Sequence, residues 1–430
     1  MAKTWLVVTL VLLGGAAACA RAADAPAPAD WPQFRGPGGL GASAAPGLPL
    51  EWSPDRNLVW KVDLPGAGAS SPIALGDRIV VTCYSGYGVP DKPGDMAALR
   101  RHVVCLAAAD GKVLWKADVP ARLAEQPTTR EDHGYASSTP AADADCVYVF
   151  FGKSGVFAFD QDGREVWRAD VGSGLSGWGS AASPVLCGDL LVVNASVESE
   201  SLVALDKRTG KEAWRAGGIK EAWNTPLLVP VEGGKTELVL AIHGKILAFA
   251  PATGDALWSC DTDIGWYMAP SLVAHAGVVY CIGGRSGGSL AVRAGGRGDV
   301  TASRRLWKGR KGSNVSSPVY HEGRLYFADD ATGTVSCLDA RTGEAVYEAH
   351  LAPEPGQIYA SALLADGRLY YVARQGGAFV VAAGPQFRQL AYNRLDDRAV
   401  FDASPVVAGG RLLLRSTRVL YCLGEKQKSK

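Results

Sequence analysis

The sequence predicts an all-β fold, a single eight-bladed β-propeller of four-stranded antiparallel blades. Three observations carry this. A strand-opening motif of Ser or Thr followed by Pro recurs along the whole chain. Each copy is followed by an apolar strand and then by a turn of the D-x-x-T-G type that ends in an aromatic. The chain also carries 52 glycines and 12 tryptophans among 430 residues, as expected of many tight turns between short strands.

The strand openings fall at Ser71-Pro72, Thr139-Pro140, Ser183-Pro184, Thr225-Pro226, Ala269-Pro270, Ser317-Pro318, Ser361-Ala362 and Ser404-Pro405. Successive second members lie 68, 44, 42, 44, 48, 44 and 43 residues apart. A period near 44 with four short strands per unit is the spacing of propeller blades. The fullest turn runs from Ala204 to Trp214 (ALDKRTGKEAW), with copies ending at Trp115, Trp167, Trp258 and Tyr347. Asp206 can accept backbone N–H bonds in this turn, and Gly210 supplies positive φ without steric cost. The aromatics Trp60, Trp115, Trp167, Trp214, Trp258, Trp307, Tyr347 and Tyr392 are expected on the outer strands, wedged between neighbouring blades. The last unit supplies only three strands, and residues 57–63 read as a lone outer strand with its aromatic. Together they close the ring in one blade and remove free sheet edges.

The domain reading is an export signal over 1–22, a tether and extension over 23–56, the propeller over 57–423 and a solvated tail over 424–430. Lys3, the apolar run Trp5 to Leu13 and Ala20-Arg21-Ala22 make the signal. The apolar run is too short to span a bilayer, and no transmembrane helix is expected. Cys19 leaves a lipid anchor as an alternative. Residues 31–56 are expected to run outside the closing blade. The remaining eight cysteines lie singly in strand-like segments, which reads as buried thiols. A disulfide between Cys83 and Cys105 across one hairpin stays open as the alternative.

Lys+Arg 44 against Asp+Glu 43 gives a net charge of +1, which excludes nucleic-acid binding driven by bulk charge. No histidine pair has metal-ligand spacing, so no metal site is expected. No P-loop or nucleophile elbow occurs.

One face stands out. It carries the hairpins between second and third strands and the connections from each blade to the next. The first blade has two insertions there, 85–101 and 119–133. Aromatics recur just before the inner strands: Tyr135, Trp178, Trp223, Trp266, Tyr267, Tyr359 and Phe401. His133, Glu198, Glu200, Asn224 and Arg285 are the polar candidates to orient a partner. The opposed reading is that the aromatics close the channel and cap the blade tops.

The A-x-D-x-x-T-G-x-x-x-W turn resembles the repeat of the quinoprotein-like, or PQQ-like, propeller superfamily over roughly residues 57–423. The size, export signal and lack of a second domain look most like the BamB-like members. The stretch WPQFRGPGG with SSPIALGDRIVVT resembles exported planctomycete-type repeat proteins. The resemblance implies a monomeric, non-enzymatic scaffold of the periplasm or cell envelope that binds an envelope protein or a glycan, with no cofactor. Its alternatives are a carbohydrate-binding propeller and an oxidoreductase using PQQ with calcium. Superfamily dehydrogenases hold PQQ with a Cys-Cys pair, a stacking Trp, a calcium set and a catalytic Asp. This chain has no adjacent cysteines and no catalytic residue assignable on that pattern.

Overall fold

The computed structural model describes Met1 and residues 30–90, 92–129, 134–285 and 287–425. The predicted signal, Cys19, His133 and the end of the tail lie outside them. Eight antiparallel sheets of four pleated strands surround a central channel. The third blade shows the pattern. Its inner strand Val185–Cys187 pairs with Leu190–Ala195, that with Ser201–Asp206, and that with the outer strand Glu212–Gly217. Residues 58–63 pair with 419–423, so the last blade is built from both ends of the chain. The described residues contain no helix long and apolar enough to cross a membrane.

Two sets of contacts hold the blades in register. At the inner radius a hydroxyl of each blade accepts the backbone N–H of the preceding one. Ser71 N–H donates to Thr139, Thr139 to Ser183, Ser183 to Thr225, and Thr225 to Ser271, at 2.9–3.1 Å. Ser271 N–H donates to Ser317, Ser317 to Ser361, Ser361 to Ser404, and Ser404 back to Ser71, at 2.9–3.0 Å. The fifth position corrects the sequence reading. The residue in the ring is Ser271, two places after the expected Ala269.

At the outer radius tryptophan indoles reach into the next blade. Trp60, Trp115, Trp167, Trp214 and Trp307 donate to the carbonyls of Ala108, Gln161, Lys207, Pro251 and Ala340 at 2.9–3.1 Å. Each ring lies on a turn glycine of that blade. A Cβ on Gly210 would sit 2.5 Å from the Trp167 ring. Glycine there serves both the positive φ of 71° and the seat of the indole. Trp258 departs from the pattern and donates to the buried Glu237 carboxylate of its own blade at 2.7 Å. The turn it would meet is replaced by the Gly298–Asp299 strand and the Thr301–Arg304 helical turn. Tyr347 packs on Phe387 of the next blade. Tyr392 packs on Phe379 of its own blade and stays 39% exposed. The eighth blade takes its outer strand from residues 58–63, so among the described residues no turn links its last two strands to face Tyr392.

Residues 31–56 do not run outside the closing blade. They cross the channel. Trp31 exchanges backbone hydrogen bonds with Ala74 of the first blade, Ala142 N–H donates to Pro32, and Leu364 N–H donates to Gly41. Ala42–Ser43 adds a parallel strand to the inner edge of the seventh blade. Arg35 folds back onto the carbonyls of Gly39 and Leu40 at 3.1 and 3.0 Å and also donates to Pro318 of the sixth blade. The segment then leaves over blades seven and eight. There Asn393 clamps Leu50 and Trp52, and Trp52 stacks on Tyr370. One end of the channel is thereby sealed.

All eight cysteines described are free. Cys83 pairs in register with His102, and Cys105 with Val80. Their positions three residues apart put the two side chains on opposite faces of the sheet, in different core clusters. A Cys83–Cys105 disulfide is therefore ruled out.

Thr225→Val, which deletes one ring acceptor, is expected to lower stability by about 1–2 kcal/mol in denaturant titration. Gly210→Ala and Gly76→Ala both place alanine at positive φ, but Gly76 has open space around its Cβ position. Gly210→Ala should cost at least about 1 kcal/mol more than Gly76→Ala, because only it also displaces an indole. Equal losses would remove the docking role from Trp167.

Candidate functional site

With one end sealed, the channel is a cup open on the face that carries the insertions. Its volume is about 200 Å³. Phe34 of the crossing segment forms the floor. The eight ring hydroxyls form a belt above it, each at most 9% exposed. Side chains alternate along an extended strand, so the residue two places before each hydroxyl faces the cup as well. That second belt reads Ala69, Ser137, Ala181, Trp223, Ala269, Val315, Tyr359 and Asp402. Trp178, Tyr267 and Asn314 complete the mouth.

The mouth aromatics lean on one another. Tyr267 lies 5.4 Å from the Trp178 ring, 5.6 Å from Trp223 and 5.4 Å from Trp266. Trp223 Nε1 donates to the Gly179 carbonyl at 2.8 Å, and Asn314 Nδ2 donates to the Tyr267 hydroxyl at 3.0 Å. Arg374 sits 4.4 Å over the Tyr359 ring and forms a two-pronged ion pair with Asp402, 2.8 and 3.3 Å. Asp402 is the cup's one carboxylate among the described residues, and this pair offsets its charge.

Of the sequence candidates, the structure brings Trp178, Trp223, Tyr267 and Tyr359 together. Trp266 lies behind Tyr267, with Arg285 5.8 Å over its ring. The other polar and aromatic candidates are placed elsewhere. Asn224 is 1% exposed and spends its amide on backbone, donating to Ala241 and Met268 and accepting from Ala241. Phe401 is buried against Tyr421. Tyr135 is buried under the first-blade insertion, its hydroxyl on the Gln126 carbonyl at 2.6 Å. There Arg101 forms a buried pair with Glu125 and holds the Tyr135 carbonyl. Glu200 is exposed and paired with Lys220 at 2.9 Å. Glu198 is buried, accepting from the Ser180 hydroxyl. Burial, with a small addition from Glu125, pushes its carboxyl up to about 7.

Sequence reading missed the hydroxyl belt, Asp402, Asn314 and Phe34 as cup residues. It also missed two cations beside the belt. Arg415 donates to the carbonyl and hydroxyl of Ser70, next to Ser71. Arg35 holds Pro318, next to Ser317. Both guanidiniums are fully buried, and neither has a carboxylate partner among the described residues. Arg35 Nη1 and Arg415 Nε and Nη2 have no hydrogen-bond partner. Burial pushes the two down to about 9 and about 10. The period-two register counted back from each hydroxyl would have found the second belt. No sequence signal marks the two arginines.

The side chains present do not fit a calcium-bound quinone. Among the described residues no cysteine lines the cup, and its single carboxylate is paired with Arg374. Among the described residues no three His, Cys, Asp or Glu cluster as a metal ion requires.

Comparison with known proteins agrees with this architecture. The family model for outer membrane protein assembly factor BamB matches residues 53–217, 152–378 and 242–423. The chain is similar to BamB of Burkholderia pseudomallei, 23% identical over 377 residues, covering 84% of this chain and 85% of that protein. The crystal structure of BamB from Moraxella catarrhalis aligns with a TM-score of 0.61 at 16% identity, over 87% of this chain and 98% of that one. Quinohemoprotein alcohol dehydrogenase from Comamonas testosteroni aligns with a TM-score of 0.67 at 11% identity, over 95% and 82%. At these identities the two structures show the fold alone.

The raised Glu198 carboxyl gives a pH test. The folded state holds its proton between about 4.5 and about 7, where the unfolded chain has released it. The associated stability is complete below pH 4.5 and is lost as pH rises through about 7, on the order of 3 kcal/mol. Glu198→Gln cannot ionise. Its stability should stay flatter from pH 5 to pH 8 and exceed that of the parent at pH 8. Parallel pH profiles of unfolding would exclude a buried, ionising Glu198.

Proposed function

The chain belongs to the family of outer membrane protein assembly factor BamB, and on that premise we propose that it is an exported, non-enzymatic scaffold of the cell envelope. It presents the cup-bearing face to a protein partner. The observation that carries this is the asymmetry of the ring. One end of the channel is sealed by the crossing segment, whereas the other gathers the blade insertions and the aromatic mouth. The insertion hairpin Tyr87–Val89 with Lys92–Gly94 stands beside that mouth. A groove of about 480 Å³ runs between this hairpin and blades seven and eight and shares Ala69 and Asp402 with the cup. Aromatic rings beside a groove provide large contact area at low entropy cost.

A protein partner is favoured over a glycan by ring geometry. Tyr267 packs edge to face or tilted against three tryptophans, so the rings cover one another instead of offering the open flat faces a sugar stacks on. Export and an envelope location rest on the N-terminal sequence pattern together with the nature of the relatives. The mismatch between the cup's side chains and a calcium–quinone set supports a reading without that cofactor.

Cross-linking capture from envelope extracts tests the reading. Trp178→Ala with Trp223→Ala should cut capture of the principal partner at least tenfold, as loss of two aromatic anchors implies. Thermal unfolding should show that the ring persists. Undiminished capture by a folded double variant would move the partner to another face.

A further inference from the structure

The ring hydroxyls have their donor capacity unspent. Each accepts one backbone N–H from the neighbouring blade. None of the eight donates to a protein acceptor among the described residues. A hydroxyl carries one donor besides its lone pairs, so eight O–H donors converge on one cup with no acceptor of their own. Buried donors are satisfied in folded proteins, by protein, water or ligand.

The electrostatics have the same sign. Arg35 and Arg415 flank the belt, fully buried and without a carboxylate. Buried charge is costly unless paired. The remaining charged pair at the cup, Arg374 with Asp402, is neutral as a unit. The cup lining thus has a surplus of donors, and two unpaired guanidiniums lie behind it, outside the lining itself. Above the belt its walls are Trp178, Trp223, Tyr267 and Tyr359. Its volume of about 200 Å³ exceeds the ~150 Å³ of a cavity that takes up benzene.

We infer that the cup binds a compact, flat carboxylate, its anionic end among the ring hydroxyls and its apolar body among the mouth aromatics. The carboxylate supplies the acceptors that the belt lacks, and the two buried guanidiniums behind the belt favour its negative charge without touching it. The cup shares Trp178 and Trp223 with the proposed partner face, but the hydroxyl belt that carries this inference takes no part in that reading.

Benzoate is the probe, titrated into the exported chain with tryptophan fluorescence as the readout. Saturable quenching is expected, and benzyl alcohol, the same ring without the charge, should bind at least tenfold more weakly, about 1.4 kcal/mol. Ala269 lines the cup and is half-buried, so Ala269→Trp fills the space from within. It should weaken benzoate at least tenfold. Absence of saturable benzoate binding would overturn the site. So would equal affinity for benzyl alcohol, or full benzoate affinity in Ala269→Trp with native circular dichroism. Should that variant not fold, the benzoate-to-alcohol ratio on the parent chain decides alone. A parent chain that binds benzoate but captures no envelope protein would overturn only the scaffold reading.

Discussion

The closed belt of eight hydroxyl-to-amide hydrogen bonds is the constraint on which the rest of the ring depends. The inner strand of every blade is a sheet edge, with backbone donors facing a narrow channel instead of another strand. An unpaired edge inside a protein is costly. A side-chain hydroxyl at the start of each inner strand answers the N–H of its neighbour. In six of the eight copies the next residue is proline, which brings no N–H of its own. Because the bonds run blade to blade and return from Ser404 to Ser71, no blade can shift alone. The indoles at the outer radius set the pitch that this belt fixes within. Where the outer contact fails, other residues take over: Glu237 receives Trp258, and Trp52 covers Tyr370 where the eighth blade has no turn to offer.

Repeat spacing made the fold, the blade count and the closure by both termini legible, because each is written locally and eight times. The departures are equally physical. Ala269 and Ser271 both lie on the channel side of the fifth inner strand, since side chains alternate with period two. The Pro that marks the motif elsewhere follows the wrong one of them. Parity also sorts the candidate residues. Trp223 and Tyr359, two before a ring hydroxyl, face the cup. Asn224, one before, and Phe401, three before, turn into the blade interior. The rule holds only next to the hydroxyl: Tyr135, four before Thr139, lies under the first-blade insertion, whereas Trp178, five before Ser183, and Asn314, three before Ser317, reach the mouth from the connections. The crossing segment carried no readable signal. Its partners, from Ala74 for Trp31 to Leu364 for Gly41, are scattered over four blades, and a glycine-rich stretch without period names no neighbour.

An eight-bladed ring leaves a hole too wide for its inner strands to fill, and the chain closes that hole from one side only. The crossing segment bonds to inner strands of the first, second, sixth and seventh blades and so braces the ring across its diameter. In sealing one end it turns a through-channel into a cup, and it brings Arg35 beside the belt as it does so. The polarity of the cup then follows from the closure chemistry. Hydroxyls recruited to satisfy backbone N–H groups keep their own protons, and among the described residues no protein acceptor takes them. A donor-rich cup is therefore a by-product of how the ring is held shut. The aromatic mouth above it comes from different positions in the same connections. Residues in the belt can change only at the cost of closure, whereas the second belt, from Ala69 to Asp402, is free to vary. Chemical character on this scaffold is set by that second belt.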